Sequence, residues 1–169
     1  VTHLERGKTV EISVLPPENG DLRQPDIMRR PEIIHGLRNL VQNAVDFAAT
    51  TVQIDVTWTD EIIELRINDD GPGFTASVLG RIGDPFVRRR RPDNSSARRP
   101  GYEGMGLGLF IAKTLLERSG AILGFNNGGS PSISGQLGGA IVTVEWPRSS
   151  IEPSADATRG ALGDNTLIT

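Results

Sequence analysis

The sequence predicts an α/β fold, a two-layer sandwich of a sheet and helices, and three observations predict it. Five short segments read as strands, three of them by strict alternation of apolar and polar residues. Two longer segments repeat apolar residues at helical spacing. The chain has 169 residues, the size of one domain and long enough for a helical layer over a real core.

The elements follow in order. Lys8 to Leu15 alternates, with Val10, Ile12 and Val14 on one face, and Pro16-Pro17-Glu18-Asn19-Gly20-Asp21 ends it. Pro31 suits the first turn of a helix, where its missing N–H needs no partner. That helix is predicted to reach about Ala49, with Ile34, Leu37, Val41, Ala44 and Ala48 as its buried stripe. Val52 to Trp58 and Ile63 to Ile67 alternate again, joined by a hairpin turn at Thr59-Asp60-Glu61. Asn68-Asp69-Asp70-Gly71-Pro72-Gly73 reads as a loop, and Ala76 to Ile82 as a short helix. Asp84 to Gly104 is irregular and carries Arg88-Arg89-Arg90-Arg91, Arg98 and Arg99; a long loop of this kind is functional or disordered. Leu107 to Arg118 is helical, with Leu109, Ala112 and Leu116 inward. Ile122 to Phe125 and Ala140 to Trp146 are two further strands, and from Ser149 a mobile tail is expected.

Composition narrows the function. A net charge of -3 exerts no general pull on nucleic acid or membrane, so any basic site is local. With no cysteine, disulfides, thiolate metal sites and thiol catalysis are excluded, and two histidines are too few for a histidine-rich metal centre. The start lacks both a signal-peptide pattern and an initiator Met, so a fragment of a longer chain is expected.

Three local patterns carry chemistry. Asn39, Asn43 and Asp46, four and three apart, stand above one another on the first long helix, away from the apolar stripe. The stripe also fits a solvated helix face. Asn is nevertheless a poor helix former, and its carboxamide oxygen suits Mg²⁺ beside phosphates. Asp69-Asp70-Gly71-Pro72-Gly73 follows a strand; a carboxylate there can accept a hydrogen bond from an exocyclic amine such as that of adenine, although a simple acidic turn fits as well. Gly101-Tyr102-Glu103-Gly104-Met105-Gly106-Leu107-Gly108-Leu109 leads into a helix, where exposed N–H groups and the helix terminus favour phosphate. No Gly-Lys-Ser/Thr follows it and no fitting strand precedes it, so it is neither a Walker loop nor a dinucleotide fingerprint.

In this order the patterns resemble the N, G1, F and G2 boxes of the GHKL superfamily, which includes gyrase-type topoisomerases, MutL-type repair proteins, ninety-kilodalton heat-shock chaperones and sensor histidine kinases. Leu37 to Ala44 looks like the kinase N box, Asp69 to Phe74 the G1 box, Gly83-Asp84-Pro85-Phe86 the F box and Gly104 to Leu109 the G2 box. The wording of His35 to Phe47 and of Arg81 to Phe86 most resembles the RegB/PrrB/ActS redox-responsive kinases of alphaproteobacteria.

The resemblance implies a Bergerat-type ATP-binding fold, a mixed sheet with helices on one face, over residues 1–148, with 149–169 as a flexible tail. It implies ATP and Mg²⁺ as cofactors, with ADP as the product nucleotide. Asn43 would ligate Mg²⁺, and Asn39 sits where gyrase-type ATPases place a catalytic Glu. Asp69 would accept from the adenine amine, Gly71 and Gly73 would admit the base, and Phe47 and Ile82 would help wall the pocket. Phe86 would anchor the lid. Gly104, Gly106 and Gly108 would wrap the triphosphate, with Met105, Leu107 and Leu109 in the same nucleotide-binding box. Asp46 belongs to the nucleotide site by position, but many members carry Lys or Arg there. Asp84 stands where Glu is common, and the threonine many kinases place near Ala140 or Ile141 is absent. The implied partner is a histidine-bearing dimerisation domain of the same kinase, with a response regulator further on. No nucleic acid or membrane contact is expected of this fragment, which would be the cytoplasmic part of a membrane-anchored kinase. His3 and His35 are expected to be structural or solvent-facing, not phosphoacceptors. An anti-sigma-type serine kinase and a non-enzymatic nucleotide-sensing module share the same boxes.

Overall fold

A computed structural model describes residues 1–18, 23–80, 82, 102–129 and 138–153, with 102–106 by their backbone alone. The expected F box with Asp84 and Phe86, and the arginine run, lie outside the described residues.

Six strands form one mixed sheet: β1 (Thr2–Glu5), β2 (Lys8–Leu15), β3 (Thr51–Trp58), β4 (Ile62–Asp69), β5 (Ile122–Asn127) and β6 (Ala140–Pro147), in the order β1-β2-β3-β4-β6-β5. Only β2 and β3 run parallel among these pairs. Helix α1 (Pro31–Phe47) makes that crossover, α2 (Ala76–Leu79) is one turn, α3 (Tyr102–Arg118) precedes β5, and α4 (Arg148–Ile151) follows β6.

Register explains the two layers. Ile54 and Trp58 are in line across the sheet with Ile67 and Ile63, and these with Val142 and Trp146. All are buried, so this face carries the core, and α1 and α3 cover it. The other face presents Gln53, Asp55, Glu64, Arg66, Thr143 and Glu145, all half-buried. The predicted sandwich with helices on one face is what forms.

Of the predicted α1 stripe, Leu37, Val41, Ala44 and Ala48 pack on the core and Ile34 does not. Ile34 is 42% exposed, and the inward face is Ile33, Gly36, Leu40, Ala44 and Val45, with Leu37 and Val41 partly buried. The cause is Gly36: a Cβ there would sit 2.5 Å from Leu116 Cγ, so α1 and α3 meet through a missing side chain. Hydrophobic spacing alone did not weigh a glycine as core. The inward residues predicted for α3, Leu109, Ala112 and Leu116, are all at most 1% exposed.

Four further readings change. His3, in a segment with no strand pattern in the sequence, lies in β1 and pairs with Val10. Asn68 and Asp69, read as loop, complete β4 opposite Ile141 and Val52. The short helix at Ala76 ends by Leu79, because Gly80 caps it. The chain does not loosen at Ser149: α4 buries Ile151 completely, Met28 N–H donates to Ile151 O at 2.8 Å, and Arg148 pairs with Glu152 at 2.7 Å. Residues 154–169 lie outside the described ones.

The close helix contact generates a prediction. Gly36→Ala removes a helix-interior glycine, worth about 1 kcal/mol in propensity, but overpacks a core site, at a cost of roughly 1–3 kcal/mol. Urea denaturation should show a net loss of about 1 kcal/mol. A higher midpoint than the parent would show that the helices do not meet here.

Candidate nucleotide site

Connectivity brings five chain ends to one end of the sandwich. β4 finishes there with Asp69; β3, antiparallel to it, starts there at Thr51, directly after α1. β6 starts there at Ala140, and its antiparallel partner β5 finishes there at Asn127. α3 ends just before β5 begins, so its glycine-rich start lies at the same end. The sequence-separated N, G1 and G2 patterns therefore converge.

Asp69 is the buried polar group of this cluster, 3% exposed and in register with Ala140. Its Oδ1 accepts from Gly71 N–H at 2.8 Å and from Ala140 N–H at 3.2 Å. Among the described residues no donor reaches Oδ2. Burial pushes the Asp69 carboxyl above its ordinary value of 3.8; the Gly71 and Ala140 N–H bonds oppose that, nearby Asp70 adds to it and Lys8 opposes it. A buried carboxylate with one oxygen bound can accept a further donor at the other.

Neighbouring main chain closes tightly around it. A Cβ on Gly71 would collide with Phe47 O and lie 2.9 Å from Asp69 Oδ1. A Cβ on Gly139 would strike Asp69 Oδ1 and Asp69 O and lie 2.6 Å from Gly71 N. Gly73 has φ +75, and a Cβ there would meet Asn127 Oδ1 at 2.7 Å. Gly139 has no signal in the sequence, where it follows Gly138 just before a strand. Phe47 and Ile82 are partly buried and pack on the core.

Asp70, adjacent in sequence, has a different task. It accepts from Thr50 N–H at 2.9 Å, Thr51 N–H at 3.0 Å and the Thr50 hydroxyl at 2.6 Å, tying the end of β4 to the start of β3. Burial pushes its pKa up, but the Thr50 hydroxyl and the Thr51, Thr50 and Ala49 N–H groups outweigh this and hold it below 3.8.

Along α1, Asn39 and Asn43 are half-buried, and among the described residues their carboxamides take no hydrogen bond. Asp46 is exposed and turned aside: Arg6 Nη1 donates to it at 2.5 Å and Gln42 Nε2 at 3.1 Å. The last turn of α1 has no basic residue of its own. Lys8 Nζ fills that role from β2, donating to Val45 O and Ala48 O at 2.6 Å each. Lys8 also counters the charge of Asp69, a contribution invisible in a strand-like sequence segment.

Helix α3 begins at Tyr102, not at Leu107, so Gly104, Met105, Gly106, Leu107 and Gly108 are helical and not a loop. Local hydrogen bonding wins over low propensity here. Leu109 is committed to the core, while Leu107 is 45% exposed. A Cβ on Gly108 would meet nothing within 4 Å, so packing does not require glycine there. Each such glycine costs the helix about 1 kcal/mol against alanine, a cost that fits close approach of a ligand.

The Asp70 network predicts a pH-dependent stability. Its folded pKa is lowered, so its contribution is present above 3.8 and is lost as pH falls through the folded value. Asp70→Asn should cost about 2 kcal/mol at neutral pH, and chemical denaturation curves of parent and variant should converge below that value. A constant gap down to strong acid would refute the assignment.

Comparison with known proteins agrees with this geometry. Residues 28–150 match the family described as histidine kinase-, DNA gyrase B- and HSP90-like ATPase. The chain is 56% identical to the sensor histidine kinase RegB of Cereibacter sphaeroides over 98% of its own length and 36% of the relative's. It is 34% identical to the signal transduction histidine-protein kinase AfsQ2 of Streptomyces coelicolor over 78% of its length and 22% of the relative's. It thus spans about a third or less of these relatives. Among solved structures, the mycobacterial sensor histidine kinase MprB superposes with a TM-score of 0.54 at 20% identity, covering 85% of each chain, which shows a shared fold. Over residues 28–150, from before α1 to beyond β6, the chain belongs to the histidine kinase-, DNA gyrase B- and HSP90-like ATPase family.

Proposed function

We propose that this chain binds Mg-ATP and donates the γ-phosphate to a histidine on a separate dimerisation domain, as the catalytic part of a two-component sensor kinase. The buried Asp69, with one oxygen fixed by main chain and the other open, carries the ATP half of that reading. Names of the relatives, all sensor or signal-transduction histidine kinases at the identities above, support a histidine acceptor over the serine kinase and the non-enzymatic sensor.

Asp69 Oδ2 would accept from the adenine amine, with Gly71, Gly73 and Gly139 leaving the base room. Asn43, on the α1 face at the same end, has a carboxamide oxygen suited to Mg²⁺ that takes no hydrogen bond among the described residues, with Asn39 one turn earlier. Bound Mg-ATP supplies the transferable phosphoryl group. Backbone N–H groups at the start of α3, around Gly104, Gly106 and Gly108, would hold its phosphates, and Met105 and Leu107 lie between those glycines. Leu109 shapes this end from the core side. Phe47 and Ile82 would border the base. Phe86 would belong to the lid. Asp46, held by Arg6, would act through charge and not by direct contact. In phosphoryl transfer the protein's contribution is largely positioning and neutralisation of charge, so a receiving group from the dimerisation domain completes the site. A response regulator would receive the phosphoryl group afterwards. The parent protein would place this part in the cytoplasm, anchored by a membrane segment elsewhere; among the described residues no helix is long and apolar enough to cross a membrane.

Asp69→Asn separates fold from binding. A raised folded pKa means that the ionised carboxylate costs stability once pH exceeds it. The isosteric amide keeps an acceptor for Gly71 and Ala140, so neutral-pH stability should hold or rise. It also offers a donor to the adenine amine, so ATP affinity should fall about a hundredfold, roughly 3 kcal/mol. Calorimetric titration with unchanged affinity would sink the adenine assignment.

Asn43→Ala should leave an ATP affinity that no longer responds to Mg²⁺. If titrations with and without Mg²⁺ differ as in the parent, Asn43 is not the ligand.

A further inference from the structure

We infer that Asn127, at the end of β5, is the positioning residue of the adenine loop and sets base selectivity without touching the base. The inference rests on the proposed ATP reading. Asn127 Oδ1 accepts from Phe74 N–H at 2.6 Å, and Asn127 Nδ2 donates to Phe74 O at 2.9 Å. One carboxamide thus satisfies both main-chain groups of Phe74, as a neighbouring strand would. The Phe74 ring is 4% exposed and meets Phe125, two residues earlier on β5, edge to face at 6.1 Å between centroids.

The consequence is geometric. The loop 71–74 is held at its start by Asp69 Oδ1 through Gly71 N–H and at its end by Asn127. Asn127 is in register with Ala140, whose N–H holds the same Asp69 oxygen. Gly128 N–H donates to Gly139 O at 2.8 Å, and Gly139 N–H to Asp69 O at 3.0 Å. Asn127 and Asp69 therefore sit on one frame of β4, β6 and β5 ends, and the glycines that admit the base hang between them. Releasing the Asn127 end frees Gly73, which has φ +75 and whose missing Cβ leaves room for the Asn127 carboxamide. A loosened loop would still receive phosphates at α3 but would discriminate the base less well.

The test compares the full chain with Asn127→Ala and Asn127→Asp. Calorimetry is run with ATP and with inosine triphosphate, which lacks the exocyclic amine; exchange of the Phe74 amide hydrogen is followed by NMR. Both variants should bind ATP about tenfold more weakly, the loss of roughly one net hydrogen bond. Inosine triphosphate affinity should change less than twofold, so that selectivity collapses, and Phe74 protection should drop. Asp retains the acceptor for Phe74 N–H, so its amide should exchange more slowly than in the Ala variant. A folded Asn127→Ala protein with parental ATP affinity and selectivity overturns the inference. So does an equal loss for both nucleotides, or a failure of both variants to fold, since each would make Asn127 a residue of the fold alone. If Asp69→Asn binds ATP as the parent does, the underlying adenine reading fails instead, whatever Asn127 does.

Discussion

A carboxylate taken out of water at the end of a central strand is costly unless donors meet it, and the buried end of this molecule is arranged around that requirement for Asp69. Two main-chain N–H groups reach one oxygen, from Gly71 two residues on and from Ala140 at the start of the adjacent strand. Both approaches demand close backbone. Gly71 is wedged between Asp69 and Phe47 O, and Gly139 lies against Asp69 itself, so a side chain at either position would displace the carboxylate. The ladder, the turn and the glycines share one cause.

The two adjacent aspartates show how the same residue type separates into roles. Asp69 faces the helices, where burial raises its pKa and, among the described residues, no donor reaches its second oxygen. Asp70 points the other way into a full set of Thr50 and Thr51 donors, which lowers its pKa and anchors β3 to β4. One pair of adjacent aspartates thus supplies both a buried carboxylate and the fastening that keeps it in register.

What was legible in the sequence follows from what leaves a periodic trace. Strands β2, β3, β4 and β6 and both long helices bury one face and so carry a pattern. β1 is exposed at all four positions and has none. α4 is too short to show a period, and its one buried side chain, Ile151, looked like a stray apolar residue in a tail. The helix stripe was misread at Ile34 because the closest contact of α1 is made by Gly36, which adds no hydrophobic signal. Asn39 and Asn43 stood out as poor helix formers, and Asp69, Gly71, Gly73 and the α3 glycines because they cluster where apolar periodicity stops. Lys8, Asn127 and Gly139 did not, since a lysine, an asparagine and a glycine at strand ends are ordinary until their partners are known.

Stiffness is distributed unequally across the site, in a way that suits the proposed ligand. At the Asp69 end the 71–74 turn is held at Gly71 N–H by Asp69 and at both main-chain groups of Phe74 by Asn127, and the Phe74 ring meets Phe125. At the α3 end the opening turns are helical despite Gly104, Gly106 and Gly108, each costing about 1 kcal/mol against alanine. Base recognition depends on one donor meeting one acceptor at a fixed angle, which a loose loop cannot provide. Phosphate recognition depends on several N–H groups gathering around a charge, which tolerates adjustment and gains from uncrowded glycines. A site that were soft at Asp69 and rigid at α3 would reverse that match, and the hydrogen bonds and glycines of this chain are placed against such a reversal.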